Sequence, residues 1–214
     1  MWRYNESEQT AIIRTAAQQL RACGARSLCA FRAGGWGADA RTLTALAGLG
    51  FKYDSSLNAP YLGGACRIPT STPGLQPVLI EGIWEFPVTY FSDFTRHLRS
   101  LAVCACSFAE TRAVLEEAQR RSWRAVVIVL HSFELIRPSA ERSDRRRPTS
   151  SGVVIRRLER LCDFLARNTN RFRTTMFSEI SSEMIDAEAT GAPIRSTAFR
   201  TLGRMGEQII SRFL

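Results

Sequence analysis

The feature that most restricts the fold is the order of apolar runs and glycine stops in SLCAFRAGGWGADARTLTALAGLGFKYDSS, residues 27–56. An apolar run ending at Phe31 breaks at Gly34-Gly35. Asp39 then suits a helix N-cap, and Leu43, Leu46 and Leu49 recur at helical spacing behind it. Gly50 stands where a helix stops in a left-handed residue, and Phe51-Lys52-Tyr53 starts a second apolar run. Strand, glycine turn, helix, glycine stop and strand make a βαβ unit, so the spacing predicts a parallel sheet. Functional groups in such sheets gather at the carboxyl ends of the strands. Arg32 and Asp54 occupy those ends.

The rest of the chain extends this α/β alternation. Asn5 and Glu8 form a capping box for a helix with Ile12, Ile13, Ala16, Ala17 and Leu20 on one face. That helix needs a sheet to pack on before any strand has been supplied, which points to a fold whose opening strands lie outside this sequence. Leu57 to Gly82 is irregular and rich in proline and glycine, and Tyr61 and Arg67 within it could face a ligand or simply brace the loop. Ile83 to Val88 reads as a strand and Phe94 to Leu101 as a short helix; Ser107 caps a longer helix that ends near Trp123. Ala125 to Leu130 is the strongest strand signal, its unbroken apolar character implying burial on both faces, and it ends in His131. A polar loop over Arg137 to Gly152, a helix from Val153 to Asn168, a strand from Phe172 to Phe177 and a helix from Ser178 to Ala187 follow. Past Gly191, Leu202, Met205, Ile209, Ile210 and Phe213 allow an amphipathic helix that docks on the domain or on a partner. The expected division is a domain over residues 1–190 and a tail over 191–214.

The net charge of +9 comes almost wholly from arginine, Lys52 being the only lysine. The arginines are spread along the chain, which argues against a dedicated nucleic-acid face. One dense cluster, Arg142, Arg145, Arg146 and Arg147, reads as a solvated loop or as an anion- or membrane-binding patch. The six cysteines lack CxxC spacing, so reduced, buried thiols are expected rather than a disulfide framework or a zinc hook. No apolar run is long enough to span a membrane, and residues 1–6 lack the apolar core of a signal peptide, so a cytoplasmic location is expected.

Two histidines exist. His131, directly after an apolar strand, is placed to act as general acid or base, or simply to close the strand by hydrogen bonding. Its Leu-His-x-x-Glu setting, with Glu134 as the acid, favours the site role. His97 lies among arginines and is expected at the surface.

Arg32-Ala33-Gly34-Gly35-Trp36, the Gly-Phe-Lys-Tyr-Asp-Ser-Ser run, Trp84-Glu85-Phe86-Pro87-Val88 and Leu130-His131-Ser132-Phe133-Glu134 occur in this order. In that order the chain resembles, over roughly residues 10–190, the polysaccharide deacetylases of the NodB-homology type (carbohydrate esterase family 4). The resemblance implies an incomplete (β/α) barrel without its first strands, and hydrolysis of N- or O-acetyl groups on a carbohydrate by a metal-bound water. It further implies His131 as the acid that protonates the leaving group and Arg32 as the residue that orients the catalytic carboxylate. The backbone at Gly34 and Gly35 would be the oxyanion donor, and Trp36, Asp54 and Glu134 would be substrate or support groups.

The sequence departs from the family where the metal belongs. The Asp-Asp pair and the H-x-x-x-H pair that supply base and ligands are not found, and the three protein ligands a zinc site requires cannot be assembled. No metal or other cofactor is therefore expected in this chain, whereas the complete family uses zinc or another divalent ion. Three readings follow: the C-terminal portion of a deacetylase, inactive alone; a non-catalytic carbohydrate-binding relative; or a basic protein that binds nucleic acid or acidic lipid. Nucleic acid is the less expected partner, and the sequence does not speak to oligomeric state.

Overall fold

Helix α1 (Glu6–Ala22) starts where the sequence places it. The Asn5 side chain accepts the Glu8 N–H at 2.9 Å, and the Glu8 carboxylate accepts the Asn5 N–H at 2.8 Å. The computed structural model describes residues 1–70, 74–137, 149–181, 185 and 192–213. These form a mixed α/β arrangement with sheets of four, three and two strands, none of them closed into a barrel. Two compact units emerge. The first takes residues 1–90, 123–127 and 175–192; the second takes 91–122, 128–174 and 193–214.

In the first unit the predicted βαβ element forms: β1 (Ala30–Phe31), α2 (Ala40–Gly48) and β2 (Tyr53–Asp54). Asp39 caps α2 by accepting the Thr42 N–H. A hairpin of β3 (Val78–Ile80) and β4 (Ile83–Glu85) completes a sheet of order β1-β2-β4-β3. Strands β1, β2 and β4 are parallel, and β3 runs antiparallel to β4. Both residues of the hairpin turn, Glu81 and Gly82, have positive φ, the condition for a turn that follows the sheet's twist. The register puts Phe31, Asp54 and Glu85 in one row across the three parallel strands.

Ile13, Ala17, Leu43, Leu46, Phe51, Leu57 and Ile83 form the main core of this unit. Buried Gln9 joins α1 to the cap of α2, accepting from Thr42 Oγ1 at 2.6 Å and donating to Asp39 Oδ1 at 3.2 Å. Tyr53, Phe86 and Ile185 form a second cluster with Phe177, whose ring lies 5.2 Å from that of Phe86.

The second unit contains a sheet of β5 (Tyr90–Ser92), β6 (Leu98–Ser100) and β9 (Ile194–Arg195), in the order β6-β5-β9. Helices α3 (Phe108–Arg120) and α4 (Gly152–Ala166) pack through Phe108 and Phe164, and β7 (Ile136–Arg137) pairs with β8 (Thr149–Ser150). The tail does form a helix, α5 (Ala198–Phe213). Its buried Arg204 lies 3.2 Å from Glu110 and 3.7 Å from Asp93, both carboxylates being buried as well.

Several expectations are corrected. Phe94 to Leu101 is no helix, because Asp93 Oδ1 gathers the N–H groups of Thr95 and His97 into a turn that leads to β6. The Ala125–Leu130 run is mostly half-buried and is not a laddered strand. Side chains displace the partner carbonyls there: Gln76 Oε1 accepts from Arg124 and Ala125, and Thr89 Oγ1 accepts from Val127. Only Val129 makes a strand bridge, to Ala102. Phe172 to Met176 likewise lacks a ladder, and Phe177–Glu179 is one 3-10 turn where the sequence predicts the passage from strand to helix.

The arginine cluster at positions 142–147 and most of the expected helix after position 181 lie outside the described residues. No helix among the described residues is long and apolar enough to cross a membrane. All six cysteines are free thiols, with Cys23 and Cys162 exposed and Cys66 and Cys106 buried.

Candidate functional site

The row Phe31–Asp54–Glu85 ends the three parallel strands of the first unit, and polar groups accumulate just beyond it. Asp54, Ser55, Ser56 and Glu85 are all buried. Ser56 Oγ accepts the Ala33 N–H at 2.8 Å and donates to Asp54 Oδ1 at 2.8 Å, while the Ser56 N–H donates to Asp54 Oδ2 at 3.1 Å. Ser55 Oγ donates to the Phe86 carbonyl and accepts from Arg32 Nη2, each at 2.8 Å; Arg32 Nε donates to the Ser55 carbonyl at 3.0 Å. The Tyr-Asp-Ser-Ser segment thereby ties the ends of β1, β2 and β4 together.

Asp54 and Glu85 share a side-chain hydrogen bond, which two carboxylates can make only if one keeps its proton. Donor supply decides which one. Asp54 receives the Ser56 N–H and hydroxyl, whereas Glu85 receives only the Leu57 N–H, at 2.9 Å, and no donor reaches its Oε2. Burial raises the pKa of Glu85 well above the ordinary carboxylate range, and the charge of Asp54 adds to the effect. Burial raises Asp54 as well, against the opposing hydrogen bonds from Glu85 and Ser56. Of the two carboxyls, Glu85 is therefore the one that holds a shared proton more readily, with the Arg32 guanidinium beside the pair. Arg32 keeps an exposed surface although protein atoms crowd its guanidinium. That desolvation lowers its pKa, and Asp54 and Glu85 act to raise it.

Gly34, Gly35 and Trp36 form one 3-10 turn above this cluster. Gly35 (φ 58°) and Trp36 (φ 61°) are both left-handed, a conformation glycine accepts and tryptophan adopts under strain. The turn brings the Trp36 ring to 5.8 Å from the Arg32 guanidinium and 6.3 Å from the Tyr61 ring. Tyr61 is 48% exposed. Arg32, Gly34, Gly35, Trp36 and Asp54 thus lie together. Glu85 is the member that the sequence motifs do not place in the site, and its signal is an acid inside the apolar run Ile83 to Val88.

His131 and Glu134 belong to the second unit and lie together there. Glu134 accepts the His131 N–H at 3.0 Å through Oε2, and its Oε1 lies 3.2 Å from His131 Nδ1. Burial works to raise the pKa of Glu134, but the His131 N–H, the Cys104 thiol and the His131 ring together hold it below its ordinary value. Burial and the neighbouring Glu134 push the Cys104 thiol up to about 12, so it stays protonated and is a donor rather than a nucleophile. The His131 ring stacks on Phe133 at 5.0 Å and remains half exposed. His97, in a turn rather than on a helix, is exposed as the sequence predicts.

The residues at neither position fit the divalent ion of the resembled family. Glu85 and Asp54 are turned towards each other around one proton with the Arg32 charge beside them, and Glu134 is occupied by His131 and Cys104. Among the described residues, no three of His, Cys, Asp and Glu come together to hold a metal. Comparison with protein-family models, with curated proteins and with solved structures finds no match.

Proposed function

We propose that the chain carries part of a polysaccharide-deacetylase-type (β/α) barrel and, in this form, binds an acetylated amino-sugar polymer without hydrolysing it through a metal-bound water. The observation that carries the reading is the Arg32–Trp36–Tyr61 layer over the buried Asp54–Glu85 pair. A sugar ring offers an apolar face to an indole or phenol ring and hydroxyl or acetyl oxygens to a guanidinium, and this layer supplies all three groups. Ser55 fixes Arg32 from below through its carbonyl and Oγ, so the guanidinium is positioned before a ligand arrives. His131, oriented by Glu134, is the proton donor that the family resemblance assigns, but it has no activated nucleophile to assist among the residues described.

Calorimetric titration with an N-acetylglucosamine hexamer tests this reading. Binding is expected at millimolar affinity or better, weakened about tenfold or more by Trp36→Ala or Arg32→Ala. No acetate release is expected with zinc or cobalt added. Absence of hexamer binding would defeat the proposal. So would metal-dependent turnover that His131→Ala abolishes.

A further inference from the structure

Helix α5 is docked inside out. Its inward positions, Thr201 and Arg204, are each 2% exposed, and Arg204 is paired with the buried carboxylates of Glu110 and Asp93. Its outward positions are apolar: Phe199 is 86% exposed, Leu202 65% and Met205 40%. These recur every three residues and so lie along one side of the helix. The orientation is specified by charge, because turning Arg204 outward would leave Glu110 buried without its cation. An apolar row held in water by such a lock is a surface that something covers.

Charge identifies what covers it. The second unit carries twenty arginines against ten Asp and Glu, a formal +10, while the first carries nine basic and ten acidic residues, −1. Arg195 is exposed just before α5 and Arg200 lies within it. Exposed Arg156 and Arg160 of α4 line one cavity with Glu207 of α5, bringing the arginine edge of α4 beside the helix. Two copies meeting through this unit would bring +10 against +10, whereas an anionic surface is attracted. An apolar row flanked by arginine is the pattern of a helix lying in the headgroup layer of a bilayer. We propose that α5 docks the second unit on an anionic phospholipid bilayer, with Phe199, Leu202 and Met205 entering the headgroup–acyl boundary and the arginines facing lipid phosphate. This inference is independent of the carbohydrate reading.

The test is co-sedimentation of the full chain with phosphatidylcholine vesicles, with and without about 30% phosphatidylglycerol, enough to give a negative surface. Binding is expected only to the anionic vesicles, and it should weaken as salt rises from about 0.1 to 0.5 M. The double variant Phe199→Ser/Leu202→Ser, whose side chains are already solvent-exposed, should lose about tenfold or more in partition while keeping the wild-type circular dichroism spectrum. A Phe199→Trp variant should show a blue-shifted emission on anionic vesicles. No anionic preference, or binding that the serine variant retains, would overturn the proposal. So would dimers, detected by light scattering, that the serine variant abolishes in the absence of any vesicle binding.

Discussion

Replacing Glu85 by glutamine isolates the proton on which the first unit's cluster depends. In the native site the Glu85 carboxyl donates to Asp54 and accepts the Leu57 N–H; a carboxamide can do both and cannot titrate. Above the ordinary glutamate pKa of 4.5, the unfolded chain releases this proton while the folded chain keeps it. Each pH unit from there up to the raised folded value therefore costs the native protein about 1.4 kcal/mol, and costs the glutamine variant nothing at this position. Since the folded value lies well above 4.5, the stability difference should move steadily towards the variant as pH rises from 4.5 and level off once the folded carboxyl has titrated. Glu85→Leu also removes the titration, but across the pH range it leaves the Leu57 N–H without its acceptor, at about 1–3 kcal/mol, and takes the Glu85 donor from Asp54, which keeps its bonds from Ser56. Urea denaturation followed by the fluorescence of Trp36 and Trp84 measures all three proteins. A constant difference across the pH range, or a glutamine variant as unstable as the leucine variant, would refute the assignment of the proton.

In the second unit, burial tends to raise the pKa of Asp93, but Thr95, Arg99 and the His97 N–H bring it down to about 2. Its stabilisation is present above the ordinary value of 3.8 and is lost as pH falls towards 2, so Asp93→Asn should be less stable by roughly 2 kcal/mol at pH 6 and should lack that acid-sensitive step in a denaturation series. Arg204→Met leaves Glu110 and Asp93 buried without this cation and should cost about 3–5 kcal/mol in urea denaturation, with α5 becoming the first site of limited proteolysis. A loss under about 1 kcal/mol would mean that the ion pairs do not hold the helix.

The parts of the fold that are legible in the sequence are those whose determinants lie within a few residues. Asn5 with Glu8, Asp39 with Thr42 and Ser107 with Glu110 each cap a helix through contacts three residues apart. The Gly50 stop and the Phe51 restart likewise announce β2 locally. The Ala125–Leu130 run misleads because composition records apolar character but not which group satisfies the backbone. Gln76 and Thr89, distant in sequence, provide acceptors in place of a neighbouring strand.

Residue order alone determined helices α1, α2 and α3 with their caps and the βαβ unit, since hydrogen bonds and apolar spacing over three or four positions suffice for them. Tertiary structure decided which charges would be buried together. Parallel register set Asp54 against Glu85 across 31 residues, and packing set Arg204 against Glu110 across 94. Neither pairing has a local signal, because a carboxylate's protonation and a helix's facing depend on which partners share its low-dielectric surroundings, and those come from remote parts of the chain.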